Sequence, residues 1–523
     1  MASYINLGNK GFASAIQSEY VDKTGLIAEI NDTLFKERRF SCISRCRRFG
    51  KSMAAEMLRA YYDHSCDSRS LFRGLEIENH PDFEKHLNKY PVIYVDMTNF
   101  ITDYGHDNDI VDRIQEDLVK SLKRTYPDVA LSEPDRLMDV LIDIANATGE
   151  QFIMIIDEWD AICREFENGE QAMDEYVRLL RRMFKSADAM NVFAGVYMTG
   201  IFPIKKYKTE SALNNFWEYS MIQPDPLSKF FGFTRDEVKM LCEKHSMPFE
   251  ELEKWYDGYS IGSETSMFNP SSVIKALSKM ECDSYWASTG AFDTVARYIQ
   301  MDFDGLKGDV VKMLTGGSCP VNTTSFQNDP AIINNKNDVF TALIHLGYLA
   351  YNKSEKRCYV PNMEVAGELK NAIENNGWKH VMDTLNASEQ LLNDLLDGHT
   401  DAVEKGIEAA HENNASILKY NDENALACVI GMAFYAARNR YRIIRELPTG
   451  KGFADMVLVP WRNVELPAIV VELKWKHDAQ TALDQIRERN YPDSLKEYVG
   501  EVVLCGINYD PQSKEHTCSI ERV

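Results

Sequence analysis

The sequence predicts an α/β protein with a parallel-sheet domain at residues 1–205, a mainly helical middle region at 206–385 and a second α/β unit at 386–523. Three observations support this prediction. Continuously apolar segments alternate with helical patterns in the first part, polar turns break the helical periodicity of the middle part, and strand patterns return in the last part. A chain of 523 residues is also too long for one hydrophobic core, which favours several domains.

Four apolar segments are predicted to form the strands of the first domain. They lie within 35–44 (FKERRFSCIS), 90–98 (YPVIYVDMT), 150–162 (EQFIMIIDEWDAI) and 191–200 (NVFAGVYMTG). Helical patterns follow the first two segments, at 52–62 and 108–124. Continuous apolar strands that alternate with helices are typical of a parallel sheet covered by helices on both faces.

The middle and C-terminal parts have different patterns. In the middle region the segment FGFTRDEVKML carries a capping box, Thr234 with Glu237, before a helix. The C-terminal part has the pattern helix, hairpin, helix and strand, with the hairpin strands at 453–459 and 468–475. It is predicted to be an α+β or α/β unit with its own core.

The composition indicates a soluble intracellular protein. Its 11 cysteines include no CxxC pair, which is typical of reduced thiols rather than of a disulfide framework or a zinc site. The N-terminal segment has neither the basic start nor the apolar stretch of a secretion signal. The longest apolar run, Ala425–Ala437, is too short to cross a bilayer. We therefore expect a cytoplasmic protein that does not associate with membranes.

The net charge of −22 bears on possible partners. An acidic protein repels nucleic acid at long range, so a contact with DNA must use local basic patches. The charge therefore disfavours a protein that coats DNA constitutively. It does not exclude an enzyme whose bound cations offset its own carboxylates.

The segment SRCRRFGKS, residues 44–52, ends like a phosphate-binding loop of the GxxxxGK[ST] type, although Arg45 replaces its first glycine. It lies between a predicted strand and a predicted helix, as such a loop requires. Gly50 lets the backbone approach an anion, Lys51 is expected to reach the β- and γ-phosphates, and Ser52 is expected to bind Mg²⁺. The alternative is a basic surface turn.

Acidic residues end the third predicted strand, in FIMIIDEWD. Asp157 is expected to hold Mg²⁺, and Glu158 to orient or deprotonate the attacking water. Thr199, which ends the fourth strand, is a candidate sensor of the γ-phosphate. The alternatives are two solvated carboxylates and a capping threonine. A phosphate loop and a strand ending in Asp-Glu, in this order, favour an ATP site over either alternative.

Basic residues are concentrated around the loop. Between Lys36 and Lys51 there are seven basic residues and one acid, Glu37. In so acidic a protein this forms a local anion trap, in which arginine side chains assist the backbone in neutralising a triphosphate.

The C-terminal hairpin, GKGFADMVLVPWRNVELPAIVVELKWKH at 450–477, carries a second candidate site. Because side chains alternate along a strand, Glu472 and Lys474 share one face, and Ile469, Val471 and Leu473 share the other. Asp455 lies on the neighbouring strand. Two carboxylates suit Mg²⁺ or Mn²⁺, which acidifies water and stabilises charge on phosphorus, and Lys474 is expected to orient the water or the phosphate. The alternative is a solvent-facing strand with a common Glu–Lys pair.

Several short motifs along the chain together carry a family resemblance. They are YVDKTGLI (20–27), SRCRRFGKS, IIDEWD, YMTGIF (197–202), LNNF (213–216), WYDGY and YWASTG. The chain resembles a bacterial AAA-ATPase-like family with a C-terminal PD-(D/E)XK nuclease domain. The phosphate loop of that family reads RxRRFGKS, so the departure from GxxxxGKS is typical of it.

The resemblance implies a P-loop NTPase domain of the AAA or STAND-like type, a lid or winged-helix-like middle region and a restriction-endonuclease-like C-terminal domain. It implies ATP and Mg²⁺ as cofactors and DNA as a partner. The nucleotide-binding residues that follow are Arg45, Arg47, Arg48, Phe49, Gly50, Lys51, Ser52, Asp157 and Thr199. In the nuclease domain, Glu423 matches an additional carboxylate ligand and Gln485 an accessory position. A homo-oligomer is left open, because AAA-like sites often receive an arginine from a neighbouring subunit.

Two functional hypotheses remain open at this point. In the first, the protein is an ATP-regulated, metal-dependent nuclease, a hydrolase in both domains. In the second, it is a nucleotide-dependent switch or scaffold whose C-terminal domain binds without cleaving. The acidic net charge favours the second, and the complete set of candidate metal ligands favours the first.

Overall fold

The computed structural model describes most of the chain. The described residues are 4–106, 109–166, 170–204, 206–207, 210–211, 213–286, 292–301, 303, 305–329, 332–374, 378–418, 423–449, 452–461, 464–475, 479, 482, 500–513 and 515–523. For residues 170, 206–207, 210–211, 292–294, 415–418, 423–424, 445–449, 452–454 and 475 the backbone alone is described.

The helices within these residues are numbered in chain order. They are α1 Lys10–Ala15, α2 Gly25–Asn31, α3 Lys51–Tyr62, α4 Phe83–His86, α5 Met97–Tyr104, α6 Ile110–Thr125, α7 Leu137–Thr148, α8 Ala161–Glu165, α9 Glu170–Phe184, α10 Ala189–Val192, α11 Arg235–His245, α12 Phe249–Tyr256, α13 Pro270–Lys279, α14 Phe292–Gln300, α15 Leu306–Leu314, α16 Lys336–Leu346, α17 Met363–Glu374, α18 Lys379–Asp397, α19 Thr400–Leu418 and α20 Glu423–Ala433.

The strands are numbered in the same way. They are β1 Phe40–Ser44, β2 Val92–Asp96, β3 Phe152–Asp157, β4 Phe193–Gly200, β5 Lys206–Tyr207, β6 Glu210–Ser211, β7 Trp217–Tyr219, β8 Phe233–Thr234, β9 Tyr259–Ile261, β10 Glu264–Phe268, β11 Cys319–Pro320, β12 Ala350–Asn352, β13 Arg357–Tyr359, β14 Tyr441–Thr449, β15 Gly452–Pro460, β16 Ala468–Trp475, β17 Val502–Asp510 and β18 Glu515–Arg522.

The N-terminal sheet has the strand order β2-β3-β4-β1-β7, and all of its neighbouring strands are parallel. Successive residues of β3 enter different cores: Met154 and Ile156 pack with α6, α7 and α9, whereas Ile155 packs with α2 and α3. Apolar residues at every position of the strand are therefore required to cover both faces. This confirms the predicted parallel sheet with helices on both sides.

The chain groups into two compact units. The first contains residues 1–247, 257–281 and 321–356, and the second contains 248–256, 282–320 and 357–523. The first unit continues past the predicted limit at 205, because β7 pairs with β1 as the edge strand of the N-terminal sheet. The contact units thus do not follow the predicted limits at 205 and 385, and the division into three domains stays a prediction.

A short antiparallel sheet in the first unit follows the N-terminal sheet, in the order β8-β10-β9. Helix α11 starts directly after β8, and the predicted capping box forms there. The Thr234 side chain accepts from the Glu237 N–H, and the Glu237 carboxylate accepts from the Thr234 N–H. These two bonds satisfy N–H groups that the first turn of a helix leaves open.

The C-terminal sheet in the second unit has the order β14-β15-β16-β17-β18. All neighbouring strands are antiparallel except β16 and β17, which are parallel. The predicted hairpin strands, 453–459 and 468–475, correspond to β15 and β16. Val457, Val470 and Leu504 pack together on one face, and Ile469 and Val471 are buried on the other. The C-terminal part is therefore an α/β unit with its own core.

Among the described residues, no helix has the length and apolar character needed to span a bilayer. The apolar run 425–437 instead forms most of α20, which ends at Ala433, and the start of a short 3-10 helix at Tyr435–Asn439.

Candidate functional site

The parallel order of the N-terminal sheet brings the predicted nucleotide residues to one edge. In the register of the strands, Ile43 of β1 is level with Thr199 of β4, and Asp157 of β3 is level with Asp96 of β2. Since the carboxyl ends of parallel strands meet at the same edge, the loop after β1 and the acids after β3 face a common space. The sheet therefore brings to one edge residues that the sequence predicted to act together but that lie in separate segments.

The loop after β1 leads directly into the N-terminus of α3. Gly50 is the N-cap residue with φ 89°, and as a glycine it supplies no side chain to cap the helix. A Cβ at Gly50 would meet nothing within 4 Å, so the left-handed backbone and not crowding requires glycine here. The N–H groups of the first turn and the helix dipole favour an anion at this position.

Lys51 is buried at the start of this helix, with 4% of its side chain exposed. Its Nζ donates to the Cys46 carbonyl at 3.3 Å and lies 3.5 Å from Glu158 Oε1. The ammonium group is therefore held over the loop, between the loop backbone and the end of β3.

Asp157 is almost completely buried at this edge, with 2% of its surface exposed. The Thr199 hydroxyl donates to Asp157 Oδ1, and the Ser52 hydroxyl also hydrogen-bonds this carboxyl. Burial raises the pKa of Asp157, and the negative charge of Glu158 adds to this, while the two hydroxyl groups and Lys51 act in the opposite direction. A bound divalent cation would favour the ionised form, because it supplies the charge that burial removes from contact with water.

Glu158 adopts a backbone conformation that is rare for a residue with a side chain, with φ 51°. Its N–H points to Asp157 Oδ1 at 3.1 Å and to Thr199 Oγ1 at 3.3 Å. Burial works to raise the pKa of its carboxyl, but Lys51, Arg164 and Arg47 together lower it. Strained backbone of this kind often occurs at functional sites, where the surrounding contacts maintain it.

The arginines of the loop have different environments. Arg45 is completely buried, donates from one NH group to the carbonyls of Ser44 and Tyr219 at 3.0 and 2.8 Å, and lies 5.2 Å from the Phe231 ring centre. Burial lowers its pKa to about 10. These contacts fix the start of the loop to β7, and they differ from the phosphate contact expected of Arg45. Arg47 and Arg48 are half-buried, and Arg47 lies within electrostatic reach of Glu158.

Phe49 is also buried and packs inside the protein. Its ring meets the Tyr259 ring edge-on at 5.2 Å, and its carbonyl accepts from the Gly232 N–H at 3.1 Å. The WYDGY motif thus supplies a packing partner for the loop through Tyr259. The predicted nucleotide contact of Phe49 stays a prediction.

Three residues at this edge were not found from the sequence. Asp96 lies beside Asp157, and its pKa is raised by burial and by the charge of Asp157. Asp160 and Arg164 form an ion pair, and Arg164 also contacts Glu158. A strand that ends in an acid (YVDMT) was a signal for Asp96. The spacing of four residues between Asp160 and Arg164, across a turn, was a weak signal for their ion pair.

The C-terminal candidate residues also lie together. Asp455 is one residue beyond the pair Met456–Val471 on antiparallel strands, which places it opposite Glu472. Asp455 Oδ2 accepts from the Leu473 N–H at 2.7 Å, and Lys474 Nζ lies 3.0 Å from Glu472 Oε1. Glu472 is 2% exposed, and on its other side the level residue of β17 is Gly506. A glycine at this position leaves room beside the carboxylate.

Two carboxylates on adjacent strands fit a magnesium site with few protein ligands, because Mg²⁺ keeps several waters. Among the described residues no cluster of three or more His, Cys, Asp or Glu side chains suits a metal ion. The predicted third ligand, Glu423, is the first residue of α20, and its side chain is outside the described residues. Gln485 also lies outside the described residues.

Comparisons with known proteins match a different family model to each of the two regions that contain a candidate site. Residues 7–209 match the family model described as predicted AAA-ATPase, and residues 421–517 match that of the PD-(D/E)XK nuclease superfamily. The chain therefore carries an AAA-ATPase-like domain and a PD-(D/E)XK superfamily domain, as the resemblance implied. No match was found among curated proteins.

Two solved structures from Aeropyrum pernix are among the matches. The ORC2 protein in ADPNP–ADP complexes is 9% identical, with a TM-score of 0.25, and the match covers 69% of this chain and 97% of that one. The ORC1 protein in complex with DNA is 13% identical, with a TM-score of 0.23, and the match covers 72% of this chain and 98% of that one. TM-scores this low support no inference about this chain.

Proposed function

We propose that this chain, which joins an AAA-ATPase-like domain to a PD-(D/E)XK nuclease superfamily domain, hydrolyses ATP in the first and cleaves DNA phosphodiester bonds in the second. The observation that supports this most strongly is the convergence of Ser52, Asp157 and Thr199 beside Lys51 at one edge of the parallel sheet. A basic surface turn does not require a buried acid and two hydroxyl groups at the same place.

In the first domain, each residue has a role that follows from its position. The N-terminus of α3 binds the phosphates, and Lys51 turns from Glu158 to the β- and γ-phosphates. Ser52 and Asp157 hold the Mg²⁺ that accompanies ATP and neutralises charge on its phosphates. Glu158 orients or deprotonates the attacking water, and Thr199 keeps Asp157 in place and senses the γ-phosphate.

In the second domain, Asp455 and Glu472 bind the divalent cation, which acidifies water and stabilises charge on phosphorus. The Leu473 N–H fixes one oxygen of Asp455. Lys474, which pairs with Glu472 at 3.0 Å, orients the water or the DNA phosphate. In this proposal the state of the nucleotide site controls cleavage.

Two measurements on the full chain test the proposal. Mg-ATP at 100 times its Kd is expected to stabilise the folded protein by about 2.7 kcal/mol, and Lys51→Ala removes the shift. DNA cleavage with Mg²⁺ or Mn²⁺ is expected to disappear in Glu472→Ala and in Lys474→Ala, while the ATP shift of these variants stays normal. An unchanged melting temperature in excess Mg-ATP contradicts the nucleotide site, and intact single- and double-stranded DNA under all these conditions contradicts the nuclease.

The alternative is a nucleotide-dependent switch whose C-terminal domain binds without cleaving. The net charge of −22 favours it, because an acidic chain gains little from long-range attraction to DNA. It predicts self-association or partner binding that depends on ATP and survives Glu472→Ala. The same cleavage assay separates the two functions.

A further inference from the structure

The carboxylate of Glu158 lies between two cations of the first unit. Lys51 Nζ is 3.5 Å from Oε1, and one NH group of Arg164 is 2.5 Å from Oε2. The Arg164 contact is thus the closer one, and the Arg164 side chain is only 8% exposed. A charge-assisted bond of this length, shielded from water, restricts the orientation of the carboxylate strongly.

Arg164 is itself fixed at its other end. Its Nε lies 3.2 Å from Asp160 Oδ2, and the same oxygen accepts from the N–H groups of Ile201 and Phe202 at 3.1 and 2.8 Å. Asp160 is 1% exposed, and a Cβ on Gly200 would lie 2.8 Å from Asp160 Oδ1. The guanidinium is therefore anchored, through Asp160, to the backbone that directly follows β4.

The two oxygens of Glu158 consequently have different surroundings. Oε2 is held by Arg164, whereas Oε1 faces Lys51. When Lys51 moves to the phosphates of ATP, Oε1 loses this partner and faces the space that the γ-phosphate and its attacking water occupy. Arg164 keeps its anchor at Asp160 during this exchange.

We propose that Arg164 is a positioning residue for ATP hydrolysis, which holds Glu158 by Oε2 so that Oε1 accepts the hydrogen bond of the attacking water. The inference rests on the proposed ATPase function and adds to it the group that orients the general base. Asp160 has the supporting role of anchoring Arg164. The second aspartate of the DEWD motif, Asp160, and the arginine four residues later thus acquire a function in the same site.

The test compares Arg164→Gln and Arg164→Lys with the wild-type chain. In Arg164→Gln we expect kcat for ATP hydrolysis to fall by roughly 10- to 100-fold with unchanged affinity for Mg-ATP, because the base loses its orientation while Lys51 and Ser52 remain. In Arg164→Lys the charge stays, but kcat is expected to remain low, because an ammonium group cannot bridge Glu158 and Asp160 as a guanidinium does.

Arg39→Gln is the matched control. Arg39 is also a buried arginine of the first unit, with 7% of its surface exposed, and it donates to the carbonyls of Met190 and Phe193 at 2.9 and 3.0 Å, beside the amino end of β4. Glu158, by contrast, follows the carboxyl end of β3. The loss of Arg39 is expected to lower the melting temperature without lowering kcat. This separates a general loss of stability from a change at the base.

Three results would overturn the inference. A wild-type kcat in Arg164→Gln would show that Arg164 does not act on Glu158, and a raised kcat would show that it restrains the base instead. If Arg164→Gln does not fold, a wild-type kcat in Arg164→Lys would decide against positioning. A wild-type chain that binds Mg-ATP but hydrolyses none contradicts the proposed ATPase function itself, and the inference with it.

Discussion

At the scale of single residues, Asp157 connects stability and function in the nucleotide site. Its pKa is raised by burial, so above the ordinary pKa of an aspartate the ionised carboxylate destabilises the folded protein. We therefore expect Asp157→Asn to raise the melting temperature of the nucleotide-free protein at pH 7. The same change removes the proposed ligand of Mg²⁺, so the stabilisation by Mg-ATP, about 2.7 kcal/mol at 100 times the Kd, is expected to disappear.

Asp96→Asn is the control for this prediction. Burial and the neighbouring Asp157 raise its pKa as well, and asparagine can replace it as the N-cap of α5, where its side chain accepts from the Thr98 N–H at 2.9 Å. The variant should gain stability in the same way and keep its response to Mg-ATP. Thermal melts at pH 7 with and without Mg-ATP measure both effects, and a destabilised Asp157→Asn protein argues against the electrostatic explanation.

Single residues also show which parts of the candidate site could be predicted from the sequence and which could not. Ser52, Asp157 and Thr199 were found because each follows or ends a recognisable strand, and the parallel order of the strands then brings them together. Arg45 was predicted to bind phosphate because it is a cation in a basic loop. The direction of the Arg45 side chain depends on its contacts with Tyr219 of β7 and with Phe231, which are 174 and 186 residues away along the chain. Local sequence does not encode these contacts.

At the scale of secondary-structure elements, length decided which predictions agreed with the structure. The predicted helices at 52–62 and 108–124 correspond to α3 and α6, and the four apolar segments contain β1 to β4. Strands β7 and β8 have three and two residues, too few for a periodic pattern, and form because a distant partner strand supplies their hydrogen bonds. The extension of the first sheet beyond 205 was missed for this reason.

The junction between the loop and α3 yields a prediction of its own. Gly50 has φ 89° and open space around its missing Cβ, so Gly50→Ala costs only backbone strain, about 1–2 kcal/mol. It should also weaken Mg-ATP binding, because relief of that strain rotates the N–H groups that begin α3. Gly74→Ala is the matched control. Gly74 has φ 79° and equally open space around its missing Cβ, but it lies 24 residues after Gly50, outside the loop.

Equal losses of stability in the two glycine variants, with ATP affinity reduced in Gly50→Ala alone, would support the anion site at this helix start. Urea unfolding gives the first quantity and nucleotide titration the second. If Gly74→Ala weakens ATP binding to the same extent, the effect arises from lower stability and not from the position of Gly50.

At the scale of the whole molecule, the chain groups into two units, and each contains one candidate site. The nucleotide residues belong to the first unit, and Asp455, Glu472 and Lys474 belong to the second. Units with separate cores unfold in separate steps when their mutual stabilisation is small, so we expect two transitions in calorimetry. In the proposed function Mg-ATP binds only the folded first unit, so it should raise only one of these transitions.

Two core variants assign the transitions. Leu141→Ala removes a buried side chain from α7 in the first unit, and Leu504→Ala removes one from β17 in the second. Each is expected to cost roughly 2–5 kcal/mol and to lower one transition only. The transition that Leu141→Ala lowers should be the one that Mg-ATP raises, and Lys51→Ala should abolish that rise. A single transition that responds to both leucine variants and to Mg-ATP would instead mean that the two units fold as one cooperative body, and that nucleotide binding stabilises the nuclease-like unit as well.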